Sequence, residues 1–497
     1  MPNDFSVFSN DGKCPSGTLP SSDPHPPAKG RYKVVRSGSE SFLYIPQIQE
    51  LFYAPGEALE ELDLADVEAP RIIELRALES AQTKELDRLK SARDLVDYMC
   101  NNRKTEDLPV FVKDSGKDGL KDLVVNIAQI CNLACGYCYA DNLNKAKKTM
   151  SIRVADAVID RAMLLAPKGL NSVKFLGGEP TIAWDVAKYL MARFDEVASA
   201  KNCSSPIYVT VTNGTLLTDS IIEDMIKNRM YVMVSLDGPK NVHNENRPYL
   251  GGRGSYDKVI DGLKKMISSG LKPAVEAVFT KAHVDAGVTI VSLLEDFKSI
   301  GVREAQITIA LGVWHELDTT AQVDQVIDDV TNAAAWSVKS FGTEDPFLLR
   351  GIQFVLTGFA TKSRRDYVCG AGRTFMAVNY DGEAFPCYLM ETRSTSYGFV
   401  DKRWNEDRFN SVGRSLQRNG KAHHPVCREC WANEICQSCL GSTFLLAPEI
   451  AKPPAWFCRL QKEVISVTLA EIGCLRTNGD WDLFLSNLER MTAYSTD

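Results

Sequence analysis

From residue 123 onward, short apolar or alternating runs recur between longer stretches of helical period. The strand candidates are Leu123–Ala128, Val173–Leu176, Ile207–Thr212, Tyr231–Leu236, Ala274–Phe279 and Ala305–Leu311. Helical stretches lie between them at Ser151–Leu165, Ile182–Ala198, Asp219–Asn228, Ser255–Ser269 and Asp285–Ile300, with Thr320–Phe341 after the last. Ser151 and Asp219 stand where helix N-caps belong, and Gly270 and Gly301 where helices stop. Strand–helix units in a row predict a parallel sheet. Ligands of such sheets sit beyond the carboxyl ends of the strands, so the loops there are where chemistry is expected.

The first third of the chain follows another pattern. Residues 1 to about 30 are rich in Pro, Ser, Gly and Asp and bury too little apolar surface to offset their ordering entropy, so a disordered tail is expected. Ser41–Ile45 and Ile48–Ala54 alternate as two strands of a hairpin around Pro46-Gln47. Acidic helical segments follow at Glu57–Leu64, Ala69–Leu78 and Thr83–Asn101, the last with Leu86, Leu89, Leu95 and Met99 near helical spacing. Two strands followed by three helices predict a small winged-helix-like module over residues 31–110.

Composition narrows the function. At 497 residues several domains are expected, and 44% hydrophobic with 24% charged residues is ordinary for a soluble globular chain. A net charge of −7 gives no polyanion-binding footprint, so no nucleic-acid partner is expected. The chain lacks both a long apolar run and a basic-then-apolar start, which predicts no membrane span and a cytoplasmic protein. Fourteen cysteines in a reducing compartment point to metal or catalysis rather than disulfides. Cys14, Cys100, Cys203 and Cys474 fall outside any cluster-like pattern.

Asn126 to Asp141 carries the sharpest signal: Cys131, Cys135 and Cys138 form a Cys-x3-Cys-x2-Cys spacing directly after the first strand. Three thiolates on one loop can hold three irons of a cubane and leave the fourth open for a substrate or second cofactor. A zinc knuckle is the competing reading, but it wants a fourth ligand that no nearby Cys or His supplies. With Tyr137 just before the last cysteine, the loop resembles that of the radical S-adenosylmethionine (SAM) superfamily. The resemblance implies that the open iron chelates SAM and that the reduced cluster cleaves it to a 5′-deoxyadenosyl radical. It also implies a partial (β/α)6 TIM-like barrel over residues 119–345, an α/β fold.

Further motifs fall at strand ends. Gly177-Gly178-Glu179-Pro180 follows the second strand and matches the superfamily's Gly-Gly-Glu-Pro motif. Its glycines would let backbone approach a ligand, and its carboxylate would take the methionine amino group. The resemblance assigns SAM contacts to Ser235 and, with plain turn chemistry as the alternative, to Asn213 and Asp237. Tyr137 joins them as a cofactor-binding residue, and Arg247 either pairs a carboxylate or is a solvated cation.

A second cysteine system occupies the C-terminal part: Cys369, Cys387, Cys427, Cys430, Cys436, Cys439 and Cys458. Two zinc sites, with His423 and His424 nearby, are one reading. With the radical-SAM loop upstream, the order resembles the SPASM extension (residues 366–497), which houses two auxiliary 4Fe–4S clusters, three clusters in all. The resemblance implies that Cys427, Cys430, Cys436 and Cys458 hold the distal cluster. Cys369, Cys387 and Cys439 would hold the proximal one, a ligand short. Its open iron would bind a substrate thiolate, or Cys474, a carboxylate or water would fill the place.

The reading that joins these parts is a radical SAM maturase that installs a thioether in a ribosomal precursor peptide or small protein. The N-terminal module would be the precursor recognition element, taking a leader peptide by strand addition, and flavodoxin or ferredoxin would supply electrons. Carbon–carbon cross-linking uses the same layout. A formylglycine-generating sulfatase maturase is the runner-up. Against it stand about 130 residues before the cysteine loop, Leu176 where that family has Gln, and Tyr388 where it has Asp after the Gly-x4-Cys cysteine.

Overall fold

The computed structural model describes residues 32–46, 48–53, 110–112, 119–140, 146–310, 320–365, 367, 369–401, 403–417, 421, 424–428, 430–446 and 455–492. The expected N-terminal tail and the three acidic helices between 57 and 101 lie outside these residues. The chain divides into two compact units, and neither is one continuous segment. The first comprises residues 1–114, 354–369 and 418–481, the second residues 115–353, 370–417 and 482–497. Residues 366–497 contribute to both units.

In the second unit a single sheet organises everything. Its parallel strands are β5 (Asp122–Gln129), β7 (Ser172–Gly177), β8 (Ile207–Thr212), β9 (Tyr231–Ser235), β10 (Ala274–Phe279), β11 (Glu304–Ile309) and the short β12 (Leu348–Leu349). Helices α1 (Ile152–Leu165), α2 (Trp184–Ala200), α3 (Asp219–Lys227), α4 (Lys240–Asn246), α5 (Tyr256–Ser268), α6 (Lys281–Asp285), α7 (Ile290–Ile300) and α8 (Thr320–Ser340) connect them. Ser151 caps α1 by accepting from Val154 N, and Gly301 ends α7 at φ +104°. Two local expectations are corrected. Thr218, not Asp219, caps α3, since its hydroxyl accepts from Ile221 N. The helix expected over Asp285–Ile300 is two pieces, because Thr289 starts a new capping box.

The other edge of the sheet is a hairpin whose two strands the sequence predicts, but whose pairing with β5 it does not. Strand β14 (Phe375–Val378) pairs in parallel with β5, Phe375 opposite Asp122 and Val378 opposite Val125. Its hairpin partner β15 (Glu383–Phe385) and then β16 (Gly398–Phe399) extend it antiparallel. The order is β12-β11-β10-β9-β8-β7-β5-β14-β15-β16, with the two-residue β6 (Lys148–Thr149) also on β5. The sheet is open, as a partial barrel requires. Leu123, Val125, Ile127, Val173 and Phe175 are buried on its helix side, where α1 presents Ala155, Val158, Ile159 and Ala162. Each fully buried large side chain there contributes about 1.5–3 kcal/mol. Register places Val124, Lys174, Val209 and Tyr231 together on the opposite face, and Ser235, Glu276 and Gln306 likewise. That inner face mixes an apolar cluster of Val124, Leu176 and Ala377 with polar positions.

In the first unit, β1 (Lys33–Ser37), β2 (Glu40–Ile45) and β3 (Glu50–Tyr53) form an antiparallel sheet. The expected hairpin is therefore two strands of three; β1, five residues with a charged one at either side of Val34-Val35, gave no clear alternation. One face of this sheet is covered by a helix from the far end of the chain, α13 (Ala455–Asn478). A Cβ at Gly473 would lie 2.7 Å from the Phe42 ring, so glycine lets helix and sheet meet. Glu50 ties the elements: its carboxylate receives Lys362 at 2.9 Å and Arg476. The remaining helices are α9 (Gln353–Thr361), α10 (Glu406–Gln417), α11 (Pro425–Arg428), α12 (Leu440–Leu446) and α14 (Trp481–Thr492). Strands β4 (Val110–Val112) and β13 (Arg364–Arg365) pair with each other. No helix of the described residues is long and apolar enough to cross a membrane.

Candidate active site

Strand β5 delivers the cysteine loop to the carboxyl end of the sheet. The loop is pinned along residues 248–250: Ala134 N donates to Pro248 O at 2.8 Å and Leu250 N to Asn132 O at 3.2 Å. Cys138 N donates to Cys135 O at 3.1 Å, which folds the loop back so that its sulfurs share one neighbourhood. Burial pushes the Cys131 thiol up to about 11 and the Cys135 thiol up to about 12, and the cysteines act on one another in the same direction. Cys131 and Cys135 therefore resist ionising as free thiols, whereas coordination to iron would remove the proton outright. The donor set thus fits the three-thiolate share of a cubane cluster.

The loop's aromatic residue is locked from below. Tyr137 donates its hydroxyl to Asp237 Oδ2 at 2.5 Å, and the Arg247 guanidinium lies 5.4 Å from the Tyr137 ring centroid. Asp237, which follows β9, has no solvent exposure; its Oδ1 accepts from Arg247 Nη2 at 3.0 Å and from Val278 N at 3.0 Å. Two neutral histidines complete the knot. His243 Nδ1 accepts from Asp237 N at 3.2 Å, and His283 Nε2 donates to Asp237 O at 2.6 Å. Burial pushes the Asp237 carboxyl up, but the Arg247 charge and the Arg247, Tyr137 and Val278 donors prevail and hold it below its usual range. Three donors from the protein thus hold the Asp237 carboxylate. Tyr137's hydroxyl is committed likewise. Arg247 is the buried partner of a carboxylate, with its Nε lacking a hydrogen-bond partner among the described residues.

Glu179 is also turned inward. Its Oε1 accepts from Thr181 N (3.0 Å), Thr181 Oγ1 (2.6 Å) and Thr212 Oγ1 (2.7 Å), and its Oε2 from Asn213 N (2.7 Å). With no exposure and four donors, the side chain braces β7 against β8. Gly177 lies at a close backbone approach. At φ +140° a Cβ would lie 2.0 Å from Ala128 O, so this glycine permits a backbone crossing at the register shift of β5. Gly178 N then donates to Ala128 O at 2.7 Å and Glu179 N to Ile130 O at 2.9 Å. The motif thereby fixes where Cys131 begins.

Asn213 holds the same loop from β8: its Nδ2 donates to Asn132 Oδ1 at 2.8 Å and lies 3.8 Å from Cys131 Sγ. Ser235 ends β9 on the inner face, and its hydroxyl makes no hydrogen bond among the described residues. Of the expected SAM-contacting side chains, Ser235 alone keeps its polar atom uncommitted.

Sequence reasoning missed the inner wall. Lys174 projects there from β7, its Nζ 5.9 Å from the Tyr388 ring; burial lowers its pKa, while Glu276 and Cys387 act to raise it. Tyr139, directly after the last loop cysteine, packs on Tyr388 with ring centroids 6.0 Å apart. Its phenol lies within electrostatic reach of Glu391, Glu276, Cys138 and Cys387. Asn126 Nδ2 donates to Glu391 Oε1 at 2.6 Å and to Asn379 Oδ1 at 2.9 Å. The only sequence signal for these residues is a polar interruption at inward positions of otherwise apolar strands.

The C-terminal cysteines sort into two places. In the first unit Cys436 is buried with its thiol pushed up to about 11 by burial, and Cys430, Cys427 and Cys458 are its charged-thiol neighbours. Lys421 acts against them there. Four thiols so arranged fit a four-thiolate cluster by their chemistry. Cys439, whose Sγ accepts from Ser442 N at 3.4 Å, and Cys369 belong to the same unit, while Cys387 stands after β15 in the other.

Comparisons with known proteins agree with this geometry. Residues 125–299 match the family model of the Radical SAM superfamily. The chain is 29% identical over 167 residues to the uncharacterised protein MJ0907 of Methanocaldococcus jannaschii, covering 34% of this chain and 56% of that protein. It is 32% identical over 161 residues to a serine-type anaerobic sulfatase-maturating enzyme of Bacteroides thetaiotaomicron, covering 30% of this chain and 37% of that enzyme. The matches therefore span roughly half or less of these relatives' own lengths. Among solved structures, anSMEcpe with bound AdoMet superposes with a TM-score of 0.63 at 19% identity, covering 75% of this chain and 99% of that one, a likeness of fold. A further form of that protein holds a Cp18Cys peptide. Residues 125–299 thus carry a radical SAM domain.

Proposed function

We propose that this radical SAM enzyme is a peptide or protein maturase that joins a cysteine sulfur to a carbon of a ribosomally made substrate. The domain implies SAM and a 4Fe–4S cluster, which Cys131, Cys135 and Cys138 would hold; when bound they supply a 5′-deoxyadenosyl radical that removes hydrogen from carbon. The observation that carries the reading is the second cysteine system, which goes beyond what radical generation needs. Cys427, Cys430, Cys436 and Cys458 would hold one auxiliary 4Fe–4S cluster, and Cys369, Cys387 and Cys439 would contribute to another. Gly177 and Gly178 place the loop, and Ser235 is the side chain best positioned for SAM itself. Tyr139, Tyr388 and Lys174 line the wall that a peptide side chain would meet. The peptide bound by a structural neighbour supports a peptide partner.

Formylglycine formation is a second reading, favoured by the names of the relatives. Tyr388 and Leu176 occupy positions where the sequence resemblance to that family expects Asp and Gln. The deciding experiment is anaerobic: iron and sulfide content of reconstituted protein, and deoxyadenosine formed from SAM with dithionite. About twelve irons with deoxyadenosine formation would support three cubanes. About four irons plus zinc would end the auxiliary-cluster reading. Incubation with cysteine-containing peptides, followed by mass spectrometry, then separates a loss of two hydrogens on a linked pair from conversion of cysteine to an aldehyde.

A further inference from the structure

Thioether formation leaves one role unfilled. The S–H bond of the substrate breaks and an S–C bond forms with the carbon radical, releasing one electron and one proton. The electron passes to a one-electron acceptor of the iron–sulfur class; the proton needs a base on the inner wall. We propose that Glu391 is that base, taking the proton of the substrate thiol as the S–C bond forms. The inference rests on the maturase reading and adds a residue to it.

Geometry selects Glu391 from the other carboxylates. Asp237 is spent on Arg247, Tyr137 and Val278. Glu179 accepts four hydrogen bonds. Glu304 is held by Arg350 and by Tyr231, whose hydroxyl donates to it at 2.7 Å. Glu391 has one oxygen bonded and one unpaired: Oε1 receives Asn126 Nδ2 at 2.6 Å, while Oε2, buried from solvent, has no hydrogen-bond partner among the described residues. The anchor is meaningful, because Asn126 sits on β5, the strand that runs into Cys131. Asn126 and its neighbour Asn379 bring the β5–β14 seam and Glu391 into one network. That network lies where Tyr139 brings the end of the cysteine loop to Tyr388.

An unsatisfied buried oxygen is costly unless something donates to it. A substrate S–H would do so. The electrostatic setting agrees: burial pushes the Glu391 carboxyl up to about 7, opposed by Asn379 and Asn126 and reinforced by Glu383 and Asp381. A base poised near the working pH transfers protons most effectively. Glu276 is the competitor on this wall, facing Lys174.

The test compares full-length reconstituted protein with Glu391→Gln, Glu391→Asp and Glu276→Gln, using the cysteine-containing peptide that the parent protein modifies. In Glu391→Gln, deoxyadenosine formation should stay within about threefold of the parent while thioether product falls about 100-fold or more. Glu391→Asp should recover part of the product. The parent's product rate should climb with pH through about 7, and this limb should vanish in Glu391→Gln. A protonated-carboxyl infrared band titrating near neutrality, absent only from Glu391→Gln, gives a readout independent of turnover. Undiminished product in Glu391→Gln, or a loss confined to Glu276→Gln, overturns the proposal. If the parent modifies no peptide, the maturase reading fails on its own account. The infrared titration then still decides Glu391: a band supports it as a proton acceptor, and none refutes it.

Discussion

Replacing Asp237 with alanine would strand the Arg247 guanidinium, which is buried with no other carboxylate bonded to it among the described residues. Breaking a buried ion pair by removing one partner costs about 3–5 kcal/mol, because the remaining charge cannot reach water. Two further acceptor positions disappear, those used by Tyr137 and Val278. Arg247→Met should cost a similar amount, since Asp237 would keep its desolvation penalty and lose its largest compensation. The double variant, Asp237→Ala with Arg247→Met, removes both charges and should cost at least about 2 kcal/mol less than the two singles summed. Hydrogen exchange is the appropriate assay, because a chain of two units need not unfold in one step. The Val278 amide reports directly, as it donates to Asp237. Single variants should lower its opening free energy together with that of the Ala134 amide on the cysteine loop. Additive effects of the two substitutions would refute the claim that this pair carries the latch. So would unchanged protection at Ala134, which would free the loop from it.

Other outcomes follow from the same geometry. Cys135→Ala should abolish deoxyadenosine formation, whereas Cys436→Ala should leave it largely intact and lose peptide product, read by chromatography of both species. Gly177→Ala should destabilise the β5–β7 junction by about 3 kcal/mol or more, since φ +140° and the Ala128 carbonyl both exclude a side chain. A normal thermal midpoint for that variant would refute the crossing argument. Burial drops His243 to about 4 from an ordinary 6.5. Between these values the unfolded chain binds the proton and the folded chain does not, so stability falls as pH falls. The loss should reach about 3 kcal/mol by pH 4 and flatten in His243→Asn, measured as exchange protection of α4 against pH.

Six strands of the parallel sheet were legible as short apolar or alternating runs, and their observed ends differ from expectation by at most two residues, whereas the two-residue β12 is too short to show a period. Cap positions were less legible. Thr218 and Asp219 are adjacent cap formers, and only backbone geometry chooses between them. The structure gathers Tyr137, Asp237, Asn213 and Glu179 around the cysteine loop, but their hydrogen-bond partners were not readable in the sequence. A carboxylate in Gly-Gly-Glu-Pro has the same letters whether it meets a ligand or four protein donors, and which donors surround it depends on β8, thirty-odd residues away.

The chain's spacing alone determined that three thiolates share one loop, that this loop follows a strand, and that seven more cysteines lie far downstream. These are local facts, set by covalent neighbourhood and by period. Tertiary structure decided everything that depends on partners distant in sequence. It placed β14 against β5 across some 250 residues, so that Asn126 and Glu391 meet. It laid α13 over β1–β3, joining the two ends of the chain in one unit. It also made Asp237, Asn213 and Glu179 braces of the cysteine loop and its surroundings. The physical reason is that a polar side chain has a fixed number of hydrogen bonds to give. Whether any remain for a ligand is known only when the neighbours that claim them have been assembled.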